Sequence, residues 1–213
     1  KYYDKKENMM KLKWRKLTLV LLLMMTLVGC QSKPKELIAP EVEVPENLPL
    51  VTMEIKDFGT IQAELYPHIA PNTVNNFISL INQGFYNGLT IHRIEKGFVL
   101  QGGDPNGIGT GGPGYAIAGE FINNGFQNDL KHTEGVLSMA RTNQPDSAGS
   151  QFFIMLDDAP HLDGHYAAFG RVTSGMDVAH DIEVAGTSNG SVVIESMTVN
   201  TYGIEYSAPD VIQ

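Results

Sequence analysis

The chain has 213 residues, 42% of them hydrophobic and 18% charged, a balance that excludes a disordered acidic polymer and suits one globular domain with short appendages. Its single cysteine excludes an intrachain disulfide. A formal charge of −9 argues against phosphate backbones as partners, so no nucleic acid is expected.

From the N-terminus, Lys11, Lys13, Arg15 and Lys16 form a basic run, and residues 17–28 form an apolar run that is short for a membrane-crossing helix. The run closes on Leu27-Val28-Gly29-Cys30, which resembles a bacterial lipoprotein signal. That resemblance implies removal of residues 1–29, lipidation of Cys30 and an extracytoplasmic protein anchored to the cell membrane by its lipid. Met9-Met10 marks the expected start of translation, with residues 1–8 ahead of it. Residues 1–29 hold 7 basic and 2 acidic side chains, which leaves 8 basic and 22 acidic in the remainder, a net of −14. Such a surface repels anionic headgroups, so the lipid is expected to hold the protein at the membrane.

Residues 30–49 carry Pro34, Pro40, Pro45 and Pro49 without helical or strand periodicity, and are expected to form an extended spacer. At about 3.1 Å per residue it would reach about 50 Å. The domain is expected over 50–202, followed by a tail, 203–213. Two runs starting at Val51 and Ile61 alternate apolar and polar residues around Asp57-Phe58-Gly59-Thr60, the pattern of a hairpin with one buried face. Between Pro71 and Gln83, the positions Val74, Phe77, Ile78 and Ile81 predict an amphipathic helix, with Asn72 or Thr73 as its cap and Gly84 as its stop. Further strands are expected over 89–94, 98–101, 135–140, 151–156, 167–172 and 192–199, and a second helix over 176–184. Many short strands and few helices point to an all-β sandwich or barrel.

Several motifs bear on chemistry. Gly109-Thr110-Gly111-Gly112-Pro113-Gly114 spells a dinucleotide-type glycine pattern, but Pro113 and the residues after it offer no helix to receive a phosphate, so it reads as a surface turn that lets a ligand approach the backbone. His161 and His165 are four apart, yet Asp163-Gly164 breaks a shared helical face, so no metal is expected. Ser138 and Ser150 keep a hydrolase as a rival reading. Neither lies in a G-x-S-x-G elbow, and no carboxylate is expected to orient a histidine base.

Six segments taken together carry a specific resemblance: residues 91–104 (Ile91 to Asp104), Gly109 to Gly112, Gly135 to Ala140, Gly149 to Ile154, Leu162-Asp163-Gly164 and Phe169 to Val172. In this order and spacing they are similar to the cyclophilin family of peptidyl-prolyl cis-trans isomerases. The resemblance implies a closed eight-stranded antiparallel β-barrel capped by two α-helices, and it implies no cofactor. It also places Arg93 as the catalytic arginine, Gln101 as a partner of the substrate carbonyl, and Phe98, Val99, Phe153 and Leu162 as the wall of a proline pocket with Tyr166 at the rim. Ala140, Arg141, Thr142 and Gln151 would follow the peptide backbone, with Gly109 and Thr110 at the neighbouring subsite. Val99 stands where the family often has methionine, and Tyr166 where many members have histidine.

Read this way, the chain is a monomeric isomerase acting on proline-containing segments of secreted or surface proteins. The alternative is a binding module or chaperone that captures the same peptides with incidental turnover. His161 stands where drug-sensitive members carry tryptophan, and a smaller ring with a different donor geometry weakens cyclosporin-like ligands. Calorimetric titration with cyclosporin should therefore show weak binding that His161→Trp tightens; tight binding unaltered by the substitution contradicts this.

Overall fold

The structure is a computed structural model that describes residues 37–39, 43–186 and 191–213. The expected signal segment 1–29, Cys30 and residues 31–36 lie outside the described residues. Those described fall in one compact unit, Glu36–Gln213.

Eight antiparallel strands and two helices make up the unit. In chain order they are β1 (Leu50–Ile55), β2 (Gly59–Leu65), α1 (Pro71–Asn82), β3 (Arg93–Glu95), β4 (Val99–Gly102), β5 (Val136–Met139), β6 (Phe152–Met155), β7 (Ala168–Ser174), α2 (Met176–Ala185) and β8 (Ile194–Asn200). Alternation works as the pattern predicts: Val51, Met53 and Ile55 of β1 and Ile61, Ala63 and Leu65 of β2 all point into the core. On α1 the same core receives Val74, Phe77, Ile78 and Ile81. Phe77 lies with its ring centroid 5.0 Å from Tyr86, 5.3 Å from Phe152 and 5.0 Å from Phe169, an aromatic centre that ties the helix to β6 and β7.

The sheet runs β3-β4-β6-β5-β7-β2-β1-β8, and its two ends do not form a ladder. The expected closed barrel is therefore an open half-barrel. Strand β3 has only three residues, and the preceding stretch, expected to be strand from residue 89, crosses towards β8 as irregular backbone. There Ile91 N–H donates to Val192 O (2.9 Å), Ile194 N–H donates to Leu89 O (2.8 Å), and Thr90 makes an isolated bridge to Val193. These contacts seal the gap without pairing the two edge strands.

Strands β4, β5 and β6 are buried on both faces, because a second apolar cluster lies across the sheet from the main core. Val99, Val136, Phe153, Met155, Ala159, Leu162 and Ala168 form it, with Phe98, Ala140 and Tyr166 half-buried at its edge. That edge is where the site lies.

The cap of α1 differs from the expectation. Neither Asn72 nor Thr73 caps the helix with its own side chain; Ala70 occupies the cap position. The buried carboxylate of Glu120 accepts the N–H groups of Asn72 (3.0 Å) and Thr73 (2.8 Å) and the Thr73 hydroxyl (2.6 Å). A negative charge at a helix N-terminus meets unpaired donors and the positive end of the helix dipole. Burial raises the Glu120 pKa, opposed by these hydrogen bonds.

Both appendages touch the domain where they are described. Ile38 N–H donates to Gly125 O (2.9 Å) and Gln127 N–H to Ile38 O (2.7 Å), so the spacer is held at this point rather than free along its length. In the tail, Asn72 exchanges two hydrogen bonds with the backbone of Asp210, and Ile212 pairs with Ala116.

Candidate active site

Hairpin β3–β4 sets the geometry. Its register places Arg93 opposite Gln101, and β4–β6 pairing places Gln101 opposite Phe153. Residues directly opposite on neighbouring strands share a face. Arg93 Nη1 accordingly reaches Gln101 Oε1 at 3.4 Å, Gln101 Nε2 donates to Gln151 Oε1 at 3.0 Å, and Gln151 Nε2 donates to Gly111 O at 2.9 Å. Every donor in this chain points the same way, from the guanidinium towards the glycine loop.

Beside the chain lies a hollow of about 120 Å³, lined by Arg93, Phe98, Val99, Gln101, Ala140, Arg141, Phe153, Leu162 and Tyr166. The Arg93 guanidinium lies 5.7 Å from the centre of the Phe98 ring, and its Nε is 3.6 Å from Glu95 Oε1. With both side chains about half exposed, at 41% and 55%, that ion pair contributes little to stability. Phe153 and Tyr166 meet edge to face at 5.8 Å and form one corner.

A second, wider hollow of about 520 Å³ adjoins the first and shares Gln101, Ala140 and Arg141 with it. Gly109, Thr110, Thr142 and Gln151 line it, along with the rest of the glycine loop, Gly111 to Gly114, and with Gly149 and Ser150; Tyr115 and Ser147 join them with no role expected from the sequence. Arg141 is held in place between the two: its Nε and Nη2 donate to His165 O, its Nη1 donates to Thr142 O, and its guanidinium sits 4.9 Å from the Phe121 ring and 4.7 Å from the Tyr166 ring. A cation fixed by two rings and three hydrogen bonds acts as a rigid wall. His161 lines neither hollow; it stacks on the outer face of Phe98, with centroids 5.8 Å apart. His165 instead meets Asn123, so the two histidines serve different neighbours.

The glycine loop owes its shape to Asp104, a residue at the end of the opening motif with no role expected. Its buried carboxylate accepts the backbone N–H groups of Asn106, Ile108, Gly109 and Thr110. Gly111 passes so close that a Cβ there would sit 2.1 Å from Asp104 Oδ1, which only glycine avoids. Burial pushes the Asp104 carboxyl up, but the backbone donors of Asn106, Gly111, Gly109 and Ile108 outweigh it and leave it below the ordinary value of 3.8.

Under the first hollow, a polar chain was also missed. His132 Nδ1 lies 3.1 Å from Asp163 Oδ1 and its Nε2 lies 3.0 Å from Ser138 Oγ, while its ring stacks beneath Phe153 at 6.2 Å. An orienting carboxylate therefore exists where none was expected. Ser138 is 0% exposed and His132 1%, so the serine hydroxyl meets no substrate and the arrangement does not work as a hydrolase. Burial lowers the His132 pKa, against the opposing pull of Asp163, which favours a neutral ring supporting Phe153. Ser150, 1% exposed, commits its hydroxyl to Gly103 O at 2.7 Å.

A model of the family described as "Cyclophilin type peptidyl-prolyl cis-trans isomerase/CLD" matches residues 50–204, most of the chain. The chain belongs to the cyclophilin-type peptidyl-prolyl cis-trans isomerases. This cyclophilin is 49% identical over 141 residues to peptidyl-prolyl cis-trans isomerase B of Bacillus subtilis, a match covering 66% of this chain and 92% of the relative. It is 47% identical over 127 residues to a peptidyl-prolyl cis-trans isomerase of Helicobacter pylori, covering 59% and 75% of the two chains. Among solved structures it resembles a Cryptosporidium parvum cyclophilin determined in the presence of the dipeptide Ala-Pro, with a TM-score of 0.64, 30% identity and coverage of 71% of this chain and 99% of that one. Like these relatives, the cyclophilin is a peptidyl-prolyl cis-trans isomerase.

The Asp104 nest yields a prediction with a definite pH window. Asp104→Asn should lower unfolding stability by about 2 kcal/mol, since a charged acceptor of several buried N–H groups is replaced by a neutral one. Because the folded-state pKa is depressed, the carboxylate's contribution is complete above its unfolded value and disappears as pH falls through the lower folded value. Denaturant unfolding of both proteins from pH 7 down to pH 2 should show the gap closing below about pH 3.8; a gap that stays constant with pH would refute the role.

Proposed function

We propose that this cyclophilin accelerates X-Pro isomerisation by stabilising a twisted amide in the first hollow, with Arg93 as the donor to the prolyl nitrogen. The observation that carries the reading is the placement of the Arg93 guanidinium and the Gln101 carboxamide side by side over a ring-sized apolar hollow. Rotation about an X-Pro bond breaks amide resonance against a barrier of about 18–20 kcal/mol and proceeds in tens to hundreds of seconds unaided. As the bond twists, the prolyl nitrogen becomes pyramidal and its lone pair localises. A fixed donor aimed there binds the twisted state more strongly than either planar one, and the difference lowers the barrier.

Each side chain has one part in this. Phe98, Val99, Phe153 and Leu162 hold the pyrrolidine ring by apolar burial, so one side of the rotating bond stays still. Arg93 uses Nε towards Glu95 and Nη1 towards Gln101, leaving Nη2 to meet the nitrogen. Gln101 commits one amide hydrogen to Gln151, and the second is available to the carbonyl that moves. Ala140, Arg141, Thr142, Gln151, Gly109 and Thr110 receive the chain before the proline along the second hollow. The step needs no covalent bond to the protein, no metal and no proton transfer.

The clients proposed are proline-bearing segments of secreted or surface proteins, met at the outer face of the cell membrane. Support comes from the basic run, the apolar run and Cys30 in sequence, and from the acidic remainder, which would not bind anionic lipid by itself. His161 stacks on Phe98, a wall of the first hollow, and its ring, smaller than the tryptophan of drug-sensitive members, is proposed to weaken bulky macrocyclic inhibitors.

In a proline-tetrapeptide isomerisation assay, Arg93→Ala should lower kcat/KM about 100-fold or more, with peptide affinity by NMR titration within about threefold of wild type. Near-normal turnover in that variant would overturn the assignment. Separately, the wild-type protein expressed in a bacterium that processes lipoproteins should fractionate with membranes and carry acyl mass on Cys30, and Cys30→Ser should not; wild-type protein recovered unacylated would overturn the anchor.

A further inference from the structure

Resting on the assignment of the β3–β4 hairpin to catalysis, we propose that Glu183 on α2 is a positioning residue for isomerisation, its carboxylate holding the turn from which Phe98 projects. The hairpin needs such support. β3 is an edge strand of three residues, and the tip, Lys96-Gly97, projects beyond the sheet with Gly97 at φ +64. Short edge hairpins are marginal by themselves. Phe98, next in sequence, carries the ring that walls the hollow and lies under the Arg93 guanidinium.

Two anchors from distant parts of the chain reach the backbone at this point. Leu156 N–H, just past β6, donates to Phe98 O at 2.8 Å. Gly97 N–H donates to Glu183 Oε1 at 2.6 Å, a contact spanning 86 residues of sequence. Glu183 is itself oriented: its Oε2 faces His180 Nδ1 at 2.9 Å, and His180 Nε2 faces Glu134 Oε1 at 2.7 Å. Glu134 is fixed in turn, its N–H donating to Asp158 Oδ1 and its carbonyl accepting from Arg171. With 18% of its side chain exposed, Glu183 is the most enclosed of these three groups, against 41% for His180 and 54% for Glu134. The carboxylate thus sits on a helix packed against the sheet and sets where the catalytic ring begins.

The bridge carries its own pH signature. The charged groups facing His180 are Glu183 on its own helix and Glu134 before β5; beyond them, Lys96 at the hairpin tip acts on Glu183, and Arg171 on β7 donates to the Glu134 carbonyl. Donating to the Glu183 and Glu134 carboxylates raises the His180 pKa, and accepting from His180 and the Gly97 N–H lowers that of Glu183. Imidazolium serves both carboxylates at once, whereas neutral imidazole has one N–H and serves one. Full bridging is therefore present at low pH and is lost as pH rises through the raised value of His180.

The test compares Glu183→Ala, Glu183→Gln, His180→Ala and Arg93→Ala in the full chain by peptide isomerisation kinetics and by amide hydrogen exchange at Gly97. Glu183→Ala should speed Gly97 exchange at least about tenfold and lower kcat by about five- to tenfold with KM within about twofold. Glu183→Gln, which keeps an oxygen for Gly97, should recover kcat to within about twofold of wild type. Wild-type kcat/KM should fall about twofold from pH 6 to pH 9, and His180→Ala, which alters an exposed side chain and tests the bridge even if Glu183→Ala does not fold, should be flat over that range. Rapid Gly97 exchange in Glu183→Ala with kcat within twofold of wild type overturns the proposal, as does a Glu183→Gln variant that protects Gly97 yet turns over no faster than Glu183→Ala, or a His180→Ala profile that keeps the wild-type slope. Wild-type activity in Arg93→Ala marks a different failure, that of the hairpin assignment itself.

Discussion

Everything at the site depends on the pairing of Arg93 with Gln101 across a hairpin of only three rungs. Side chains alternate between faces along a strand, so a slip of one residue would turn Arg93 away from the hollow and bring its neighbours forward. The three rungs, Arg93 with Gln101, Ile94 with Leu100 and Glu95 with Val99, are too few to guarantee register by themselves. Register is reinforced by β6, which pairs along the whole of β4, and by Val99 and Leu100 pointing into opposite apolar clusters. A slip would expose both clusters at once.

From that pairing the rest of the groove follows by packing. Phe153 stands opposite Gln101, His132 lies beneath Phe153, and Asp163 and Ser138 occupy the two ring nitrogens of His132. The aromatic wall therefore rests on a hydrogen-bonded base rather than on apolar side chains that slide freely. Arg141 does for the second hollow what His132 does for the first. Its guanidinium, clamped by Phe121 and Tyr166, ties the second hollow to the rim of the first. Fixed dipoles and a fixed cation suit a reaction whose transition state differs from its ground states only by a twist, since little reorganisation accompanies the charge that appears on nitrogen.

Much of this was legible from the order of residues because it rests on short-range signals. Alternation marked β1 and β2, a 3.6-residue period marked α1, and the ordered motifs from Ile91 to Val172 held many of the residues that line the two hollows. What escaped depends on contacts between residues far apart in sequence and ordinary in type. Glu120 caps a helix that starts some 50 residues earlier, Asp163 meets His132 31 residues away, and Ile38 pairs with Phe126. No local pattern marks a glutamate as a cap for another segment. Asp104 was closer to hand, since an aspartate before Asn106-Gly107 suits a turn that gathers backbone donors, but its use as the centre of a whole loop needed the fold. The half-barrel was likewise illegible: whether β3 meets β8 turns on four irregular residues that read as a strand.

The central claim is that the reaction is governed by a donor that stays put while an amide twists, without a nucleophile and without a proton in flight. The most direct measurement is the on-enzyme cis-trans exchange rate of a saturating proline tetrapeptide, followed by NMR exchange spectroscopy in H₂O and in D₂O at equivalent pH. A rate ratio of about 1 is expected, because no proton changes hands at the barrier. A ratio of about 2 or more would place a proton transfer in the rate-limiting step and contradict it.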